Sequence, residues 1–306
     1  MSRRGWVLFW VLALIWGMPY FFISVAVDEL EPAFVVFGRT ALAALVLLAI
    51  AGRAGELRPA LREWRWVAIF AIIEMAIPWI LLTTAEQHIA SGLAALIISS
   101  VPIFGALTAF ALGDRSALRP ARLAGIGLGV AGVALLVGND LTGDGAPPWS
   151  SIAFVIVVCV CYGTAPFIIS RKLADVPALG VIAISLSIVA VLYLPFAAAS
   201  LPTTAPSAGA VASVVVLALV CTAVAFVVFF RLIDEVGAAR ASVITFVNPF
   251  VAVALGAAFL DEQLELAIAV GFVLVLGGCW LATRPSLHAA DDLTMAATEP
   301  APATAP

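Results

Sequence analysis

Between positions 176 and 230 the chain carries no charged residue at all. A helix that crosses a bilayer needs about 20 apolar residues, so this stretch is too long for one span and implies two. Pro195, Pro202 and Pro206, in a segment containing Ser and Thr, mark the turn that separates them. The rest of the chain follows the same pattern. Apolar runs at 6–27, 33–51, 66–83, 91–112, 123–138, 150–170, 177–199, 209–229, 241–260 and 266–283 are interrupted by charges or turn residues. Composition excludes the alternatives, since 64% of the 306 residues are hydrophobic and 11% charged, with a mean hydropathy of +1.16. That much apolar surface cannot be hidden in one soluble core. A formal net charge of -4 leaves no basic excess for nucleic acid. The reading is an all-α membrane protein with ten transmembrane helices.

Arginine and lysine set the orientation. With the N-terminus in the cytoplasm, Arg3 and Arg4 lie inside, as do Arg53, Arg58, Arg62, Arg65, Arg115, Arg119, Arg122, Arg171, Lys172, Arg231, Arg240 and Arg284. The opposite loops hold acids only, among them Asp28, Glu29, Glu31, Glu86, Asp261, Glu262 and Glu265. Both termini are therefore expected in the cytoplasm. The run at 6–27 follows two arginines, as a secretory signal would, but it exceeds a signal's apolar length of about 7–15 residues. It is read as a retained first helix. Trp64, Trp66 and Trp149 fit the aromatic belt at the two interfaces. Positions 285–306, rich in Ala, Thr and Pro, hold too few large apolar groups to repay ordering and are expected to be disordered.

Sliding the sequence on itself by 147 positions brings Ile98 onto Thr245, Pro102 onto Pro249 and Asp114 onto Asp261. With one residue of slippage, Gly125 and Gly132 fall on Gly271 and Gly278, and Trp16-Gly17 falls on Tyr162-Gly163. Each copy holds five helices, an odd number, so the second enters the membrane from the opposite side. The expected architecture is two inverted-topology five-helix repeats, 1–138 and 150–284, joined by an external linker at 139–149. Inverted repeats are a hallmark of secondary transporters, whose substrate site lies near the midplane between the halves.

The stretch 90–137, with Pro102, Gly113-Asp114 and the Gly125…Gly132 helix, resembles the second half of an EamA domain. Positions 229–284 repeat the pattern more fully, with Phe230-Arg231-Leu232-Ile233-Asp234, Asn248-Pro249, Leu260-Asp261-Glu262, Gly271 and Gly278. The opening Trp16-Gly17 and Arg39 within the second span also match. The first copy departs by having Asp114-Arg115 where an acid such as Glu is usual. The resemblance covers about residues 6–284 and implies the drug/metabolite transporter superfamily: ten helices, commonly exporters of amino acids and other small metabolites.

Few polar side chains lie inside the spans. Glu74 is the one acid well inside, about 12 Å from its helix start at 1.5 Å per residue. Such a group faces a cavity or partner by default and can bind and release a proton; otherwise it hydrogen-bonds a neighbouring helix. Arg39 either attracts a substrate carboxylate or snorkels outward to pair with an acid such as Glu86. Pro102 and Pro249 each free a helical carbonyl, and Ser99, Ser100, Thr245 and Asn248 offer neutral hydrogen-bonding groups beside them. Pro19 and Pro166 are expected to kink the first and sixth spans near Trp16 and Tyr162, aromatics that could close over a substrate, with Trp79 a further candidate. The expected substrate-binding set is Trp16, Glu74, Trp79, Ser99, Tyr162, Thr245 and Asn248, with Arg39 for charge pairing or a substrate carboxylate. The repeated glycines serve either packing within the chain or a dimer interface.

No phosphate-binding loop G-x-x-x-x-G-K-[ST] occurs, and the sole lysine, Lys172, stands outside any such motif. The expectation is a secondary transporter, not an enzyme, that moves a small amino acid or amphipathic compound outward. It would be driven by a proton or other coupling ion, or by the substrate's own gradient, with no cofactor and no metal. The competing reading is a membrane-embedded enzyme acting on a lipid or polyprenyl substrate, with Glu86 and His88 as its nearest acid–base pair. Partners are the lipid bilayer and a small-molecule substrate, the chain being a monomer or homodimer. Preference for Arg over Lys and richness in Ala, Gly and Val place it in a bacterial inner membrane.

Overall fold

The computed structural model describes residues 1–115, 120–140, 148–237, 241–262 and 266–283. The tail 285–306 and most of the linker 139–149 lie outside them. Among the described residues, eight helices are long and apolar enough to cross a membrane. They are α1 (Arg3–Val27), α2 (Pro32–Arg53), α3 (Trp64–Ala85), α4 (Ser91–Ala111), α5 (Pro120–Val137), α6 (Trp149–Lys172), α7 (Ala178–Ala199) and α8 (Ala208–Val236). Two shorter apolar helices, α9 (Val243–Phe259) and α10 (Ile268–Ala282), follow. Each overlaps one of the ten apolar runs.

One proline and one boundary differ from expectation. Pro195 lies inside α7, and the chain turns after Ala199, with Pro202 and Pro206 in the connection. A proline near a helix C-terminus removes only one late hydrogen bond, so the helix closes beyond it. At its far end α8 continues past position 229 to Val236. There the helix turns amphipathic: Leu232 is fully buried while Arg231, Asp234 and Glu235 project from it, so charge does not end it.

Five of the spans are irregular in ways that matter for the site. At Met18 a bend divides α1, with Gly17 before it and Pro19 opening the second segment. In α4 the helix stops at Ile98 and restarts at Val101, ahead of Pro102. The two serines of the gap turn back on the chain: Ser99 Oγ donates to Leu96 O (2.5 Å) and Ser100 Oγ to Ile97 O (2.6 Å). The first turns of α9 are a 3-10 segment, Ser242–Phe246, before regular helix begins at Asn248-Pro249. Two π-helical segments, Ile72–Ala76 in α3 and Leu219–Val224 in α8, widen those helices by one residue. The repeat offset carries Ile72 onto Leu219, so the π segments are counterparts. By contrast α6 runs unbroken through Pro166 from Trp149 to Lys172, where a kink matching the break of α1 was expected.

Packing follows the inverted repeat. Each of the pairs α2/α7, α4/α9 and α5/α10 joins a helix to its own counterpart, while α1 packs on α8 and α9 as α6 packs on α3 and α4. Exchanging the halves leaves this set unchanged. The tightest seam joins α5 to α10. A Cβ added to Gly125 would stand 2.7 Å from Gly278 O, and one added to Gly132 would stand 2.8 Å from Gly271 O. These are the glycines that the repeat superposes, and they serve packing within the chain. Outward faces such as Leu45, Val191 and Val273 are apolar and exposed, as a surface solvated by lipid requires.

Acids at the ends of the bundle tie the halves together. Glu262, after α9, accepts from Ser91 N (2.7 Å), Ser91 Oγ (2.7 Å) and Gly92 N (3.0 Å) at the start of α4. Glu29 accepts from Ser207 N (2.7 Å) at the start of α8, and the Ser207 hydroxyl and amide hold its carboxyl below the usual carboxylate range. At the arginine-bearing end, Glu56 accepts from Gly180 N (3.3 Å) at the start of α7, and Glu235 from Ser2 Oγ (2.5 Å), the N-cap of α1. Each carboxylate sits where a helix N-terminus presents unpaired N–H groups and partial positive charge, and each bond crosses from one half to the other.

Candidate functional site

Arg39 is buried in the middle of α2, only 9% exposed. Its Nε donates to Thr222 Oγ1 (2.9 Å), and its guanidinium carbon lies 3.8 Å from the centre of the Trp79 ring. Thr222 can hold it because of the π segment in α8. Its hydroxyl donates to Leu217 O five residues back (2.8 Å), leaving its lone pairs to the arginine. The counterpart π segment is bridged by a different residue: Tyr193 OH, on α7, donates to Ala76 O (3.0 Å). In both halves, then, the second helix reaches across to the widened third helix of the other.

Around Arg39 the other predicted residues divide. Trp79 is buried beneath the guanidinium. Tyr162, on α6, lies within electrostatic reach of Arg39 and Glu74, and Tyr20, on α1, within reach of Arg39 and Tyr162. Glu74 stands in the π segment of α3, half-buried, with no hydrogen-bond partner among the described residues. Trp16 packs on Phe229 and Phe226 of α8, ring centres 4.8 and 6.0 Å away. The structure thus brings Arg39, Trp79 and Tyr162 together between the halves, with Glu74 within reach of Tyr162, while Trp16 packs on α8.

The residues beside the paired breaks serve differently. The Ser99 carbonyl accepts from Cys279 Sγ (3.2 Å), tying the gap in α4 to α10. With its amide assigned so that nitrogen faces two carbonyls, Asn248 donates to Ile244 O (3.0 Å) and Ala13 O (3.3 Å), closing the 3-10 turn and linking it to α1. Gly17 fits there because a Cβ would fall 2.8 Å from Asn248 O; at the equivalent crossing Gly163 lies against Phe104 and Gly105. Thr245 lies in the same 3-10 segment. An apolar cavity of about 320 Å³ between α4, α5 and α6, lined by Ser100, Ile103, Val133 and Ile152 among others, contains none of the predicted substrate-binding residues. Its wholly apolar wall suits a hydrocarbon chain, so the polar region around Arg39 is the better candidate site.

Arg39 does not snorkel outward. Among the described residues it forms no salt bridge, and Glu86 has no hydrogen-bond partner on either oxygen. The indole face and the Thr222 hydroxyl occupy the guanidinium instead. Sequence reasoning missed Thr222 and Tyr193, since nothing in a string of apolar residues signals where a π segment will free a carbonyl. No group of three or more His, Cys, Asp or Glu able to hold a metal occurs among the described residues.

Ten apolar helices in two interlocked halves, with buried charge and aromatics between them, define a multi-pass membrane transporter for a small molecule. The chain belongs to the EamA-like transporter family, which matches it twice, over residues 3–138 and 149–284, within the drug/metabolite transporter superfamily. It is 30% identical over 264 residues to the uncharacterized inner membrane transporter YedA of Escherichia coli K12, covering 83% of this chain and 82% of that one. It is 28% identical over 291 residues to a probable terminal-alkyne amino-acid exporter of Streptantibioticus cattleyicolor, covering 94% and 95%. A solved crystal structure at 22% identity shares the fold, with a TM-score of 0.63 over 92% of this chain and 97% of that one. Its apolar helices and its family make it a multi-pass membrane protein.

Proposed function

We propose that the chain exports an amino acid or similar small amphipathic compound by alternating access between its two five-helix halves, the arginine-bearing end facing the cytoplasm. The observation that carries the reading is Arg39: a buried guanidinium with no carboxylate partner among the described residues, stacked on Trp79 and tethered by one bond to Thr222. A guanidinium has five N–H donors in a planar fork suited to a carboxylate, so most of its hydrogen-bonding capacity remains for a substrate. Glu74, within reach of Tyr162 and without a hydrogen-bond partner among the described residues, complements it as a site for an amino group or a proton. Trp16, Trp79 and Tyr162 give the apolar walls that an amphipathic side chain needs. The exporter among its relatives, named for an amino-acid substrate, supports this class. Opening one end while the other closes requires the carboxylate ties of that end to part, and each tie is a single residue.

Counterflow in proteoliposomes tests the proposal. Purified protein preloaded with unlabelled amino acids should accumulate the labelled species, and Arg39→Gln should abolish accumulation. A protein that exchanges no amino acid or related zwitterion, or an Arg39→Gln variant that exchanges like wild type, overturns it.

A further inference from the structure

Glu86 follows the last residue of α3 at the acidic end, and its backbone N–H closes that helix by donating to Leu82 O (2.9 Å). Its side chain turns inward, 5% exposed, with both carboxylate oxygens sealed from solvent and without a hydrogen-bond donor among the described residues. It differs in this from the other loop acids that tie the halves: Glu262 is held by three donors and Glu29 by Ser207. His88, two residues on, is exposed. The groups that act on Glu86 electrostatically are Glu262, on the α9–α10 connection, which opposes its charge, and Arg39, on α2, which favours it but makes no bond to it. Tyr20, on α1, lies within reach as well. Neither α6 nor α4 contributes a charged group to it.

A carboxylate in such a place has lost its water and gained nothing in return, whereas a carboxylic acid is tolerated. We infer that Glu86 is a proton-binding site: in this conformation, with Glu262 latched onto α4, its carboxyl carries a proton, and it ionises only when the acidic end opens to water. The proton comes from, and returns to, bulk water at that face, forming and breaking one O–H bond. Closing the acidic end therefore takes up one proton there. The purpose of this coupling rests on the transporter reading, but its chemistry does not.

The test needs no substrate. Infrared difference spectra of the full-length protein in liposomes should show, at neutral pH, a protonated carboxylic C=O band that disappears in Glu86→Gln and persists in Glu74→Gln and Glu262→Gln. A second readout is thermal. Burial raises the Glu86 carboxyl above its ordinary range, so between its unfolded and folded values only the folded protein holds the proton. Stability from this group is therefore full at acid pH and lost as pH rises through the folded value. The wild-type melting temperature should fall from mildly acidic to alkaline pH more steeply than that of Glu86→Gln. Equal slopes, a band unchanged in Glu86→Gln, or no such band in wild type would overturn the inference. So would failure of Glu86→Gln to fold, because glutamine reproduces the neutral acid. Absent counterflow with these spectra as expected would sink the transport reading alone.

Discussion

Arg39 shows how a charge is kept inside a bilayer without an opposite charge beside it. Its ring contact and its bond to Thr222 replace water on one face and at Nε, and the remaining donors stay free. Lysine can place a point charge over the indole but cannot stack a planar face on it while an Nε–H holds Thr222. Arg39→Lys should lower stability by about 1.5–3 kcal/mol, the range for a hydrogen bond to a charged group. Thr222→Val should also destabilise, and the double variant should lose less than the sum of the two, because both remove the same bond. Additive losses in thermal melts would mean that the bond contributes nothing. Of this arrangement the sequence disclosed the two isolated charges, Arg39 and Glu74, because any ionisable residue within an apolar run stands out. It did not disclose their partners. Thr222 meets Arg39 within a π segment and Trp79 lies one turn beyond the other, and residue type carries no trace of these. Glu86 was legible as a loop acid, but its inward turn was not.

At the scale of elements, apolar periodicity located all ten helices, and paired prolines located the breaks in α4 and α9. Pro166 shows where that logic stops. A proline in a membrane helix frees a carbonyl, but whether the helix breaks depends on what packs around it, and α6 continues through. The break opposite it, at Gly17 and Pro19, coincides with the α1–α9 crossing, where Asn248 bridges to Ala13. The seam between α5 and α10 is the element pair with least tolerance. A Cβ on Gly278 would collide with Gly129 N and sit 2.6 Å from Gly125 O, backbone atoms that cannot rotate aside. Gly278→Val should therefore cost at least the roughly 1–3 kcal/mol of an overpacked core, read as loss of folded protein in detergent. Gly127 lies on the same helix as Gly129, but a Cβ there would have no atom within 4 Å. It should accept alanine with unchanged or slightly higher melting temperature. Equal effects at positions 127 and 278 would mean that the seam is not close-packed.

Across the whole molecule, the two halves are held by buried apolar faces and by four carboxylates on helix N-termini. These ties are unequal. Glu262 takes three short bonds, Glu56 one of 3.3 Å. Glu262→Gln should lower the melting temperature more than Glu56→Gln, with a charge at a helix start contributing about 0.3–1 kcal/mol and up to about 2 where partly buried. The reverse order would contradict the assigned strengths. Nothing in the sequence ranked these acids; only the fold shows which N-terminus each one meets.

The glycine seam has one more consequence. Gly125 meets Gly278 and Gly132 meets Gly271, so the contact reads as a palindrome: reversing its direction and exchanging its two strands restores it. Each half therefore offers its partner the same face that an upside-down copy of itself would offer. The geometry is that of a two-fold dimer whose subunits happen to share one chain, and the connection between positions 140 and 148 is the only covalent reason for counting them as a single molecule.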